Sequence, residues 1–150
     1  MPDSQMRMSS QASKSYLLIA AAILLLAFGL RVWNLGDASL WVDEIYTYLR
    51  ANGSVVHTLR TTLETGNHTP LYFVSTHLFP ITHELTLRYS AALTGVIGAA
   101  VAISVIRKLC FNRNAALWMG LLVAVNPYAI LLARMARPYA LLLLLSFIVS

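Results

Sequence analysis

The fold is decided by "YLLIAAAILLLAFGL", residues 16–30, an uncharged run bracketed by Lys14 and Arg31. A membrane-spanning helix needs about 20 apolar residues. This run reaches that length if Arg31 snorkels to the interface and Val32-Trp33 complete the outer end, with Trp33 among the headgroups. A cleaved secretory signal is the alternative, since "AFG" at 27–29 is a passable small-residue site. The further spans downstream favour retention.

Outward from that run the chain keeps the same character. It is 58% hydrophobic and 11% charged, against about 25% charged in an average globular domain. A second span is expected over about Leu85–Ile106, where Gly95, Gly98 and several alanines suit close helix packing in lipid. A third is expected over about Ala115–Ala133, "AALWMGLLVAVNPYAILLA", kinked or ended at Asn126-Pro127. A fourth begins at Pro138, a good first helical residue, and the sequence stops inside it at "LLLLLSFIVS", which predicts a longer protein. The expected fold is therefore an all-α polytopic membrane protein. It has a polar cytoplasmic tail (1–15), then a membrane domain (16–150) of three transmembrane helices and a truncated fourth.

The basic residues orient it. Arg107, Lys108 and Arg113 crowd the connection between the second and third spans, and Arg7 and Lys14 lie in the tail. The positive-inside tendency puts both in the cytoplasm and residues 34–84 outside. Five of the six acids (Asp37, Asp43, Glu44, Glu64 and Glu84) fall in that outer segment. The net charge of +5 does not point to nucleic acid, because the cations flank apolar runs instead of forming a stripe with interleaved aromatics. The single cysteine, Cys110, allows no intrachain disulfide.

Residues 34–84 carry short amphipathic pieces. From Leu40 to Arg50, Trp41, Ile45, Tyr48 and Leu49 share one helical face, Asp43, Thr47 and Arg50 the other, with Glu44 at the boundary. Asn52-Gly53 stops this helix. Ser54 caps a second, with a stripe of Val55, Val56, Leu59 and Leu63 ended by Gly66. A third apolar piece, Pro70–Phe79, is too short to span and is closed by Pro80. These pieces are expected to lie in the membrane interface, with Asp43 turned towards a cavity.

The residues able to carry chemistry gather here. A carboxylate beside a low-dielectric boundary is suited to base work. Asp43 and Glu44 diverge by about 100° on a helix, which favours one base with a supporting neighbour. Against that stands simple solvation of an interfacial helix. Arg134 and Arg137, three residues apart at the outer end of the third span, suggest a guanidinium fork for phosphate. Snorkelling to headgroups is the plainer reading. Arg88 can be argued as Arg134 and Arg137 are. His68, in "GNHTPLYF", can donate to a phosphate or a sugar hydroxyl, or be a plain loop histidine. His57, His77 and His83 lack paired ligand spacing, so a divalent metal finds no support in the sequence, and no cofactor is expected. Asn52-Gly53-Ser54 and Asn67-His68-Thr69 match the glycosylation acceptor pattern, common by chance.

The succession "LRVWNLG", "SLWVDEIYTYL", "HTPLYF", "ELTLRYSAALTGVIG" and "NAALWMGLLVAVNPYAILLARMARPYALLLL" resembles the N-terminal part of polyprenyl-phosphate-sugar-dependent glycosyltransferases of the GT-C fold. That group includes protein O-mannosyltransferases and the aminoarabinose transferases acting on lipid A. The resemblance covers roughly residues 30–145. It implies that Asp43 is the base or acceptor-positioning carboxylate, with Glu44 supporting it. His68, Arg88, Arg134, Arg137 and Tyr139 would contact the lipid phosphate or sugar. The partners implied are a polyprenyl-phosphate-linked sugar donor, a protein, lipid or glycan acceptor, and membrane lipids. Thr69 replaces the first of a proline pair usual before the tyrosine. Arg137-Pro138-Tyr139 stands where an arginine-proline-aspartate is frequent, so a second acid is missing. A small transporter or channel subunit, which would carry ionisable residues inside its spans, and a non-enzymatic membrane assembly partner are the competing classes.

Overall fold

The computed structural model describes the backbone of residues 2–66, 69–79 and 83–149 and the side chains from residue 11 on, Ala12 excepted. Among the described residues the only regular structure is helical. The order is α1 (Pro2–Val32), α2 (Val42–Ala51), α3 (Val55–Thr65), α4 (Pro70–Thr76), α5 (Glu84–Cys110), α6 (Arg113–Val125), α7 (Pro127–Arg134) and α8 (Tyr139–Val149). Ser13–Val32 and Glu84–Cys110 are each long and apolar enough to cross a membrane. Helices α6 and α7 pass the same test only as a pair, bent by 56°.

The stops follow local chemistry. Gly66 closes α3 in the left-handed conformation, at φ 67°, where a side chain would be strained. Ser54 Oγ accepts the His57 N–H at 3.2 Å to start α3. Asn126 serves two helices. Its N–H donates to Leu122 O at 3.0 Å at the end of α6, and its Oδ1 accepts the Ala129 N–H at 2.9 Å at the start of α7.

Helix α5 is the hub, packed by α1, α6, α7 and α8. The core is built from small residues: Ala27 of α1, Ala99 and Ala102 of α5, and Ala116 and Ala124 of α6 pack around Tyr16, Ile23, Ile103 and Val123. A Cβ on Gly95 would lie 2.6 Å from Ala133 Cβ and 2.8 Å from Arg31 Nε, and one on Gly120 would collide with the Ile103 side chain. Gly98, expected to help in packing, has nothing within 4 Å of where its Cβ would stand.

Arg31 does not snorkel. It is 1% exposed and turns inward past Gly95. Proline has no N–H, so Pro127 cannot supply the i→i−4 bond to the Val123 carbonyl. Arg31 Nη2 donates to Val123 O at 3.1 Å instead, and Nη1 donates to Ala124 O at 3.1 Å and to Ala27 O at 3.0 Å. The cation thus sits at the carbonyl ends of α1 and α6, where the helix dipoles favour positive charge.

Helices α2 and α3 are inside out. The buried side chains of α2 are Glu44, Thr47 and Ala51, and those of α3 are Thr58 and Thr62. Trp41, Ile45, Leu49, Val56 and Leu63 face outward. The threonine hydroxyls are satisfied by carbonyls: Thr47 donates to Asp43 O at 3.3 Å, Thr58 to Arg50 O at 3.0 Å and Thr62 to Thr58 O at 2.7 Å. Burying them therefore leaves no hydroxyl without a partner.

Candidate functional site

Asp43 and Glu44, neighbours in sequence, have separate environments. Glu44 is 2% exposed. Its Oε1 accepts from Arg88 Nε at 2.9 Å and from the Ala136 N–H at 2.7 Å. Its Oε2 accepts from Arg88 Nη2 at 2.6 Å and from the Trp41 N–H at 3.1 Å. A carboxylate offers about four lone-pair sites, and all are used. Burial pushes the Glu44 carboxyl up, but the hydrogen bonds from Arg88, Ala136 and Trp41 and the Arg88 charge outweigh it. They hold it below the usual glutamate range. Glu44 is thereby a structural anion.

Arg88 is saturated too. Besides its two bonds to Glu44, Nη1 donates to Leu35 O at 3.0 Å and Ala38 O at 2.7 Å, and Nη2 donates to Ser39 O at 3.1 Å. A guanidinium has five N–H donors, so none remains for the lipid phosphate expected there. Arg88 instead ties the turn after α1 to α2 and α5.

Asp43 is the open carboxylate. Its side chain is 64% exposed, and Oδ2 pairs with Arg137 Nη2 at 3.1 Å. Arg137 is 15% exposed, and its Nε has no hydrogen-bond partner. Arg134 and Arg137 do not share a helical face. Helix α7 ends at Arg134, Met135 is extended at φ −91° and ψ 137°, and proline disfavours helical backbone at the preceding Arg137. The Arg137 N–H turns back to Met135 O at 2.7 Å, and the break exposes the Ala136 N–H to Glu44. Arg134 donates to Asn34 O at 3.1 Å and lines a different cavity, of about 490 Å³, with Arg88 and Trp41.

Asp43 and Arg137 line a cavity of about 450 Å³ with Glu44, Trp41, Tyr128, Leu132, Met135 and Tyr139. Tyr128 and Leu132 also line an apolar groove of about 310 Å³ between α6, α7 and α8, walled by Met119, Leu122, Leu143 and Phe147. On the other side, Arg137 and Tyr139 continue into a cavity of about 560 Å³ bordered by Gly66, Thr69 and Pro70. Three recesses thus adjoin, with Asp43 and Arg137 together in the middle one. Tyr139 lies at the centre, whereas His68 falls outside the described residues. Beneath α2, Tyr72 and Phe73 of α4 pack on Ala91, Ala133 and Ala140, and burial pushes the Tyr72 phenol up.

Among the described residues no three His, Cys, Asp or Glu side chains come together as metal ligands. The groups around the pair that sequence reasoning missed are Tyr128 and Met135, which line the recess, and the Ala136 N–H, which holds Glu44. The helix break at 135–138, flagged only by Pro138, was the available signal for them. No model of a known protein family, no curated protein and no solved structure matches the chain, so the chemistry of the site rests on the geometry above.

Proposed function

We propose that the chain is the N-terminal portion of an integral-membrane glycosyltransferase. It transfers a sugar from a polyprenyl-phosphate donor to an acceptor hydroxyl on the outer face of a bacterial inner membrane. The observation that carries this reading is the Asp43–Arg137 pair. An accessible carboxylate and its guanidinium partner line one recess, which shares Tyr128 and Leu132 with an apolar groove and Arg137 and Tyr139 with a further cavity.

The chemistry uses both charges. A sugar on a lipid phosphate carries its own leaving group, so protonation of that group is not required. Asp43 accepts the proton of the acceptor hydroxyl as the oxygen bonds to the anomeric carbon. The bond from that carbon to the phosphate oxygen breaks, and its electron pair leaves with the phosphate. Arg137 neutralises the departing charge, and attack from the opposite face inverts the anomeric centre. The groove towards Phe147 suits the first isoprene units of the donor tail.

Asp43→Asn in the full-length protein, assayed in membranes for transfer from a polyprenyl-phosphate sugar, is expected to lower turnover by about 10²–10⁴-fold, as for loss of a general base. Wild-type turnover in that variant would rule Asp43 out as the base.

A further inference from the structure

We infer that the end of the bundle around Tyr16 holds one anionic phospholipid, its phosphate between Arg107 and Arg113 and one acyl chain in the groove between α1 and α6. This does not depend on the transferase reading.

Tyr16 is buried where α1, α5 and α6 meet. The guanidinium of Arg107, in the last turn of α5, stands 4.9 Å from its ring centroid, and that of Arg113, the first residue of α6, stands 5.9 Å from it. The ring face attracts each cation but neutralises neither, and two cations converging on one ring repel each other. Among the described residues the ion pairs are Arg60–Glu64, Glu44–Arg88 and Asp43–Arg137. Arg107, Lys108 and Arg113 have none. An anion with several oxygens is the complement this cluster lacks.

The second observation is continuous with the first. A groove of about 280 Å³ is lined by Ile19, Ile23, Asn114, Leu117, Trp118 and Leu121. Residues three and four apart share a helical face. Tyr16, Ile19 and Ile23 therefore follow one another along α1, and Arg113, Leu117 and Leu121 along α6. The faces that carry the charge cluster become, within a turn, the walls of the groove. A free phosphate would leave the groove empty, and a neutral lipid would leave the arginines unpaired. A phospholipid with a net negative headgroup fills both.

The chain carries three tryptophans, of which Trp118 lines this groove, Trp33 follows the far end of α1 and Trp41 caps α2. With Trp33→Phe and Trp41→Phe in the purified chain, quenching of Trp118 by lipids brominated in the acyl chain reads occupancy directly. Phosphatidylglycerol is expected to quench at a mole fraction at least about tenfold below phosphatidylcholine, from the attraction of two basic side chains to an anionic headgroup. Arg107→Gln with Arg113→Gln should abolish that preference and each single arginine variant should weaken it, while Lys108→Gln, the loss of one charge a residue away from Arg107, should keep it. Circular dichroism identifies variants that have lost their helices, and Arg113→Lys, which retains the charge, should keep most of the preference. Equal quenching by the two lipids would overturn the inference. So would a Lys108→Gln loss as large as that of the arginines, which would mean bulk charge, or full displacement of phosphatidylglycerol by inorganic phosphate.

Discussion

Arg88 and Arg137 stand at the same end of the bundle and use the same side chain in opposite ways. Around Arg88 every donor is matched: a carboxylate takes two N–H groups and three carbonyls take the rest. Around Arg137 one ion pair to an exposed aspartate is made and Nε is left over. A closed polar network fixes geometry, and an open one is free to take a ligand. The two share one hinge of backbone, since Ala136, next to Arg137, gives its N–H to Glu44.

The contrast breaks most readily from the closed side. Glu44→Ala leaves Arg88 buried without its counter-ion, and removing one partner of such a pair costs about 3–5 kcal/mol. The expected outcome is loss of a monodisperse, cooperatively melting protein in detergent. A wild-type melting midpoint would show that the network does not hold α2 in place.

Arg31 offers a second break of the same kind. In Arg31→Met the Val123 and Ala124 carbonyls lose their donors, at about 1–3 kcal/mol for each group left unpaired. Adding Pro127→Ala supplies an N–H that reaches Val123 O once Asn126, extended at ψ 118°, turns helical, so the double variant should melt above Arg31→Met. Simple additivity of the two changes, measured as a double-mutant cycle, would deny the compensation.

Acid weakens the closed network by titration. Because the folded protein holds the Glu44 carboxyl below its ordinary range, the stability it contributes is fully present above the unfolded glutamate value. It is lost as pH falls through the lowered folded-state value. Thermal melts in Glu44→Gln should be less stable at neutral pH and lack that acid limb. An unchanged limb would assign it to other carboxyls.

The smallest effect belongs to the open side. Asp43→Asn removes an exposed ion pair, worth about 0–1 kcal/mol. Its melting midpoint should stay within a few degrees of wild type, even where transfer is lost. A large drop would make Asp43 part of the structural network and sharpen the boundary between the two regions.

The helices were legible in the sequence because their signals are local. Gly66, Ser54, Asn126-Pro127 and Pro138 carry their backbone consequences with them. The arginines were not legible. Arg31 and Arg88 read as interface cations because flanking charges at helix ends look alike. Their partners are largely carbonyls, which have no sequence signature and lie as far as 93 residues away. The α2 wheel separated Asp43 from the apolar residues, but it grouped Thr47 with Asp43 and left Glu44 at the boundary. The inward line is Glu44, Thr47 and Ala51, spaced three and four residues apart, and an acid in such a line was the signal for the buried pair.

Because one Glu44 oxygen holds both the Arg88 guanidinium and the Ala136 N–H, the strap bearing Asp43 and the strap bearing Arg137 are pinned to a single point. The spacing of the Asp43 carboxylate and the Arg137 guanidinium is thereby set through one buried anchor.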